Sequence, residues 1–503
     1  MAVVTVIERK RSEASVAPAE TVSVAATARA KAVGGEGLYK KRTPIYPKLV
    51  RGRWRNVKWL LLVVTLGIYW ITPWLRWARP AGLPQQAVLV DFTGGRFYFF
   101  FIQLWPQEVY FFTGLLIIAA LALFLVTALY GRLWCGYACP QTVWTDLYIA
   151  VERTFEGDRN ARMKLDASPL SFDKAWRKGG KHAVWLAIAL ATGGAWVFYF
   201  HDAPTLWKNF WVGQAPLTAY VSAAVLTFTT YSLAGTMREQ VCTYLCPWPR
   251  IQGAMLDHHS LQVIYLKDRG EPRSPHKKNQ SWEGRGDCVD CQQCVIVCPM
   301  GIDIRDGGQI ECINCGLCVD ACNEIMVRVG RPTGLIGYDS DDAVDGRLVG
   351  RPPAYKFVRA RTIYYGVALL LVCGLLTWGL LTRSPVVFDV LRDRDPTFIS
   401  LHDGSIRDGY TLKVANRTFD RQVFTVTVNG LSRYSLKTPG DPASSSALTL
   451  VAEPNQVASM RLLVSAPADA LSAPALPVTF QIRSKTVTAV KRSVFLSGQA
   501  NTL

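Results

Sequence analysis

Five stretches of predominantly apolar residues punctuate the chain, at Val57–Leu75, Val109–Tyr130, Ala183–Phe200, Ala215–Ala234 and Thr362–Leu381. As helix, about 20 residues reach across about 30 Å of hydrocarbon, so the pattern predicts five transmembrane helices. From Pro385 onward the period changes to two, as in Thr411-Leu-Lys-Val-Ala and Gln422-Val-Phe-Thr-Val-Thr-Val-Asn-Gly430, with turn residues between the runs. Alternation of this kind predicts short antiparallel strands, one face buried and the other wet. An all-β immunoglobulin-like sandwich suits the length of this segment, although the Cys-Trp-Cys core signature is missing.

Charge orients the spans. The 503 residues carry a formal net charge of +18 with half the residues hydrophobic. Lys and Arg number 12 before the first span, 9 from Arg132 to Lys181 and 16 from Arg238 to Arg361, against 3 between Arg76 and Glu108 and 1 between His201 and Gln214. Basic residues favour the cytoplasmic side, which places the N-terminus and the second and fourth connections there and, with an odd number of spans, the C-terminus in the periplasm. The expected protein is therefore a multi-pass membrane protein, set in the bacterial inner membrane with its C-terminus in the periplasm if the cell is Gram-negative. Its predicted parts are a disordered basic cytoplasmic arm (1–56), a four-helix membrane domain (57–236), a cytoplasmic α+β module with its linkers (237–361) that two Cys-x2-Cys-x2-Cys-x3-Cys runs mark as ferredoxin-like, a fifth helix (362–381) and a periplasmic β-domain (382–503). The basic residues flank apolar segments without forming a groove-binding motif, so nucleic acid is not an expected partner. The first 50 residues contain no continuous apolar core of the signal-peptide kind.

Twelve of the thirteen cysteines fall in four tight groups and none in the last 120 residues, a distribution that fits cofactor ligation better than disulfides. The strongest signal is Cys288-x2-Cys291-x2-Cys294-x3-Cys298-Pro299 followed by Cys312-x2-Cys315-x2-Cys318-x3-Cys322. In such runs three closely spaced thiolates grip one [4Fe–4S] cube while the fourth cysteine ligates the other. One cluster is thus expected on Cys288, Cys291, Cys294 and Cys322, and a second on Cys312, Cys315, Cys318 and Cys298. Zinc sites favour separated ligand pairs over quartets at this spacing. The second quartet ends in Cys322-Asn323, departing from the Cys-Pro of the bacterial run.

A second signal is the repeated Cys-x3-Cys-Pro, in Arg132-Leu-Trp-Cys135-Gly-Tyr-Ala-Cys139-Pro140 after span two and Arg238-Glu-Gln-Val-Cys242-Thr-Tyr-Leu-Cys246-Pro247 after span four. Two like-oriented hairpins would form a parallel repeat with all four thiols at one membrane depth. An i, i+4 spacing predicts that each pair shares a helical face. Convergence of Cys135, Cys139, Cys242 and Cys246 would offer soft ligands to Cu(I) or to an iron–sulfur centre; the alternative is four small cysteines packed between helices. His258-His259 could add imidazole, Cys373 within span five reads as an apolar packing residue, and the acidic run Asp339 to Asp345 as a solvated loop. Asn416-Arg-Thr matches a glycosylation sequon, with a strand-end Asn as the plainer reading.

These residues resemble the FixG/RdxA/CcoG family of membrane polyferredoxins associated with assembly of cbb3-type cytochrome c oxidase. The likeness spans nearly the whole chain: Ile45-Tyr-Pro-Lys-Leu-Val-Arg-Gly-Arg-Trp54, Trp105-Pro-Gln, both Cys-x3-Cys-Pro motifs, Cys312-Ile-Asn-Cys-Gly-Leu-Cys-Val-Asp-Ala-Cys322-Asn-Glu-Ile-Met, and Gly330-Arg-Pro-Thr-Gly-Leu-Ile-Gly-Tyr338. The resemblance implies a role in copper handling, the reduction of Cu(II) to Cu(I) for oxidase maturation by an iron–sulfur oxidoreductase; the spacing of Cys135, Cys139, Cys242 and Cys246 makes them the candidate site. It also implies copper, a cytoplasmic electron donor and oxidase subunits or copper chaperones as partners. Composition and spacing alone do not reveal copper. Two other readings share these features: a quinol-linked membrane ferredoxin subunit, and an assembly scaffold whose β-domain docks onto the oxidase.

Overall fold

Among the described residues, five helices are long and apolar enough to cross a membrane: Arg53–Trp74, Pro106–Tyr130, Phe172–Phe198, Leu217–Met237 and Ala360–Leu381. The computed structural model describes residues 44–80, 82–277, 280–352, 355–440, 443–485 and 487–498, and the chain divides into two units at Gly374 and Leu375. The third helix starts at Phe172, well before its apolar run, because Ser171 caps it by accepting the backbone N–H of Lys174. The fourth passes from α-helix at Leu217–Thr230 into a π-helical turn, Tyr231–Met237. None of the most apolar window of the fifth is buried by protein, which leaves side chains such as Leu370 and Trp378 for lipid to cover. Between the first two spans lies an antiparallel meander that no clear alternation announces: β1 (Val88–Asp91), β2 (Arg96–Phe99) and β3 (Ile102–Leu104).

At one end of the spans, the amphipathic helix Pro140–Glu156 carries three buried carboxylates, each met by cations from other segments. Asp146 takes Lys58 Nζ at 2.9 Å and Arg55 Nη1 at 3.3 Å. Glu152 takes Arg162 and, at 3.0 Å, Arg238 Nη2; Glu156 takes Lys181 Nζ at 2.8 Å and Lys178 Nζ at 3.0 Å. Burial opposes charge on Asp146, but Lys58 and Arg55 hold its carboxyl below the usual carboxylate range. Removing one partner from such a network strands a desolvated charge, so the network fixes how the first and third spans meet this helix.

The disordered arm expected over 1–56 is corrected in part. Residues 1–43 lie outside the described residues, whereas 44–52 are packed and the first helix begins at Arg53. Lys48 N donates to Ile296 O at 3.1 Å, Leu49 N to Asp158 Oδ1 at 2.9 Å, and the Pro47 carbonyl accepts from both Arg153 and Arg162 at 3.0 Å. These polar anchors come from residues more than 100 positions away, so no local pattern could announce them.

The cysteine-rich module is bracketed by an antiparallel pair, β4 (Gln262–Tyr265) and β5 (Ile336–Asp339), on which the helix Leu317–Arg328 packs through Val319, Cys322 and Met326. The acidic run that follows is not a solvated loop. Asp339 is buried and accepts from Arg347 and, at 3.2 Å, from Tyr355; Ser340 then caps the helix Asp341–Leu348, accepting the N–H of Ala343. Ser followed by two aspartates is a helix N-terminus signal, since the acids face the positive end of the helix dipole.

The second unit is a two-sheet antiparallel sandwich. One sheet has the order β10 (Ser435–Lys437), β12 (Val457–Pro467), β8 (Ser405–Asn416), β6 (Val386–Arg392), with β7 (Ile399–Ser400) also on β8. The other runs β11 (Leu448–Ala452), β9 (Gln422–Asn429), β13 (Ala475–Arg483), β14 (Thr488–Leu496). Alternate residues of β8, among them Tyr410, Leu412 and Val414, enter a core shared with Phe424, Val426, Phe480 and Phe495. Asn416 ends β8 fully buried, its amide donating to the carbonyls of Asp420, Ala452 and Glu453 and its oxygen accepting from Thr418. The sequon asparagine is a structural tie.

Candidate functional site

The two quartets build the same turn twice. Asp290 and Gln292 sit between the first three cysteines of one quartet at φ 50° and 55°; Asn314 and Gly316 occupy the equivalent places of the other at φ 53° and 70°. Left-handed residues at these positions curl each loop, the kind of backbone from which anion-binding concavities are built. Asx and Gly residues tolerate that conformation best, and three of the four positions hold Asp, Asn or Gly.

Each loop closes around a cavity. Cys298, Cys312, Cys315 and Cys318 line one of about 370 Å³, with Ile302, Ile304 and Leu317 in its apolar wall. Cys288, Cys291, Cys294 and Cys322 line another of about 340 Å³, with Met326, Leu335 and Ile336. The fourth cysteine of each quartet therefore faces the other quartet's loop. Cys294 lines both cavities, and Cys291 alone among the eight is exposed. Burial pushes the thiols of Cys298 and Cys322 up to about 12 and those of Cys294 and Cys312 up to about 11. A thiolate in such a wall needs a bound cation to share its charge, which a metal cluster supplies. Asn323, in place of the usual proline, accepts the N–H of Gly334 at 2.8 Å through Oδ1 and so ties the quartet to the approach of β5.

The four membrane cysteines gather as well, but not as two helical faces. Cys135 lies in the short helix Leu133–Tyr137, while Cys139 is extended at φ −61°, ψ 129° and starts the helix Pro140–Glu156. Cys242 lies in the π-helical turn Val241–Leu245 and Cys246 is extended at φ −82°, ψ 120°. The shared-face expectation fails because Pro140 and Pro247 disfavour helical backbone in the residue before them. Burial pushes Cys135 up to about 12, Cys139 adding to the rise and Arg132 opposing it, with smaller contributions from Cys242 and Cys246. Cys242 is likewise pushed up to about 12 by burial and then by Cys139 and Cys246. The four thiols are thus close enough to feel one another. Among the described residues, however, no three His, Cys, Asp or Glu side chains converge tightly enough to hold a single ion.

Several residues around these thiols escape sequence reasoning. The Cys135 Sγ–H donates to Gln252 Oε1 at 3.0 Å, and Gln252 is fully buried. Arg132 donates to the carbonyls of Ile310, Cys312 (3.1 Å) and Pro249 (3.0 Å). An arginine precedes each Cys-x3-Cys-Pro, which is the one signal that could have flagged Arg132; its counterpart Arg238 binds Glu152 and stacks over Trp185. His258-His259 does not join the thiols: His258 is exposed and His259 Nδ1 lies 3.4 Å from Asp342. Cys373 stands in the fifth span, half-buried.

FixG of Rhizobium meliloti, a nitrogen fixation protein, is 49% identical over 460 residues, covering 86% of this chain and 88% of its own. The chain belongs to the FixG family. Two further relatives from Cereibacter sphaeroides, RdxA and RdxB, are each 48% identical, over 435 and 416 residues, covering 86% and 81% of this chain and 91% and 86% of theirs. Family models match in three places: a 4Fe-4S dicluster domain at residues 237–341, a 4Fe-4S binding domain at 112–155, and the IG-like fold at the C-terminal of FixG at 376–498. This FixG-family chain is a membrane iron–sulfur protein with a redox role and two [4Fe–4S] clusters, joined to an immunoglobulin-like domain. The second 4Fe-4S match includes Cys135 and Cys139.

Proposed function

We propose that the chain reduces Cu(II) to Cu(I) during assembly of a cbb3-type cytochrome c oxidase, with Cys135, Cys139, Cys242 and Cys246 receiving copper as substrate. The observation that carries this reading is that Cys135, which feels the charge of Cys139, Cys242 and Cys246, shares one buried apolar cluster with Cys315 of a cluster-binding loop. Thiolates favour the reduced ion. Cys288, Cys291, Cys294 and Cys322 would hold one [4Fe–4S] cluster, and Cys298, Cys312, Cys315 and Cys318 the other. When bound, the clusters supply one-electron storage. The chain's residues exclude water from the thiols, through Val297, Ile313 and Leu317, and orient Cys135 through Gln252.

The distribution of basic residues supports an orientation with N-terminus and clusters in the cytoplasm and the β-domain in the periplasm. A cytoplasmic one-electron donor then feeds the clusters, and the sandwich is free to meet oxidase subunits or copper chaperones.

One observation favours a second reading, in which the membrane cysteines hold a further iron–sulfur centre: the 4Fe-4S match over 112–155. Changing Cys135, Cys139, Cys242 and Cys246 together to Ser separates the two. The cupric reading expects unchanged iron content with loss of Cu(II) reduction by the dithionite-reduced, desalted protein. Loss of iron in proportion to a third centre would support the second reading. Retained copper reduction would return these cysteines to helix packing.

A further inference from the structure

The membrane cysteine turn is seated on one of the two cluster loops. A Cβ on Gly136 would lie 2.6 Å from the carbonyl oxygen of Ile313 and 3.1 Å from that of Asn314, so the backbone of the turn touches the backbone of the Cys312–Cys315 loop and only glycine fits between Cys135 and Tyr137. Next to it, the Tyr137 hydroxyl donates to the Cys315 carbonyl at 3.0 Å. Tyr338, from β5, donates to the Asn314 carbonyl at 2.6 Å, and the two hydroxyl oxygens are 3.1 Å apart. Arg132 Nη1 donates to the Cys312 carbonyl at 3.1 Å. Three carbonyls of the loop, those of residues 312, 314 and 315, are thus gripped by side chains, two of them from the membrane cysteine motif. At the other extreme of the module, Cys291 is exposed to solvent, and Cys294 belongs to the walls of both cavities.

Resting on the cupric reading above, we infer that Gly136 and Tyr137 are positioning residues that make the Cys298, Cys312, Cys315 and Cys318 set the point where electrons leave, and the Cys288, Cys291, Cys294 and Cys322 set the point where they arrive. The order follows from the sequence of contacts: exposed Cys291, shared Cys294, then Cys315 in one apolar cluster with Cys135. A one-electron reductant docking at the Cys291 edge is oxidised by one electron, and one Cu(II) beside Cys135 becomes Cu(I). No covalent bond is made or broken. Tyr137 does more than hold the turn. Cluster potentials respond to hydrogen bonds and exposure, and this hydroxyl orients the carbonyl dipole of a ligand residue of the exit set.

The test uses the full-length protein in detergent with its clusters in place, reduced by dithionite. Cys291→Ser and Cys298→Ser first assign the EPR signals of the two sets. Tyr137→Phe is then expected to retain the iron content and to shift the g-values and midpoint potential of the Cys298 set while leaving those of the Cys288 set unchanged. A shift confined to the Cys288 set, or no shift in either, overturns the positioning role. This arm contains no copper, so it does not depend on the cupric reading. In wild-type protein, freeze-quenching after substoichiometric Cu(II) is expected to show the Cys298-set signal lost first. Loss of the Cys288-set signal first overturns the order, and this arm still decides if Tyr137→Phe fails to fold. Loss of neither signal rejects Cu(II) as acceptor, and with it the exit at Cys135.

Discussion

Asp320 caps the first transmembrane helix from within the second cysteine quartet: its carboxylate accepts the backbone N–H of Arg55 at 2.8 Å and of Trp54 at 3.3 Å. It stands between Cys318 and Cys322 on the helix Leu317–Arg328, so the helix that carries the last two cysteines of the quartet also satisfies donors that another helix start leaves free. A Cβ on Gly52 would fall 2.3 Å from Asp320 Cγ, which is why the helix is preceded by glycine. Trp54 adds a ring contact to Tyr338 with centroids 4.4 Å apart. Asp320→Ala is expected to cost about 1–2 kcal/mol, the usual worth of a cap. Faster tryptic cleavage after Arg51 or Arg53 would register it, with Asp320→Asn intermediate; unchanged cleavage in the alanine variant would deny the cap that role.

Each chain purified without oxygen should contain about eight iron and eight sulfide, as two cubes require. Zinc found in their place by metal analysis would remove the basis for electron transfer.

Crossed ligation makes Cys298→Ser and Cys322→Ser a diagnostic pair. The first should alter mainly the EPR signal of the cluster on Cys312, Cys315 and Cys318, and the second that on Cys288, Cys291 and Cys294. The reverse pattern would mean that each run ligates its own cluster, against the lining of the two cavities.

Alkaline phosphatase fused after residue 503 should be active, given the excess of basic residues at the ends assigned to the cytoplasm. A fusion that is stable but inactive would invert the orientation, and with it the side from which the clusters are reduced.

The β-sandwich has its own core and should fold as a fragment from Ser384. Within it Asp408 is fully buried; burial pushes its carboxyl up to about 6, while the N–H of Leu496, at 2.7 Å, and the Tyr410 hydroxyl partly oppose the rise. A carboxyl whose folded pKa lies above its unfolded value of about 3.9 stabilises fully only below that value, and its contribution is lost as pH rises through about 6. Asp408→Asn should therefore raise the fragment's Tm at pH 7, with the gain vanishing below about pH 4. A gain independent of pH would point to packing instead of ionisation.

Much of this architecture was written in local periodicity. Apolar runs announced five helices, alternation announced the strands of the sandwich, and the x2-x2-x3 spacing announced two clusters, because each of these is a short-range geometric requirement repeated in sequence. The prolines after Cys139 and Cys246 even contained the evidence against a shared helical face, since a residue before proline avoids helical backbone. What only the tertiary structure decided is where these pieces meet. Gly136 against Ile313, Tyr137 on Cys315, Asp320 on Arg55 and Pro47 under Arg162 join residues 100 or more positions apart, and they leave no period in the chain. Such contacts depend on one backbone fitting another and on buried donors finding acceptors, conditions set by the folded whole. The spacing of the cysteines determined that two clusters could be held; the packing of a glycine and a tyrosine determined which cysteine loop the Cys135–Cys139 turn rests on.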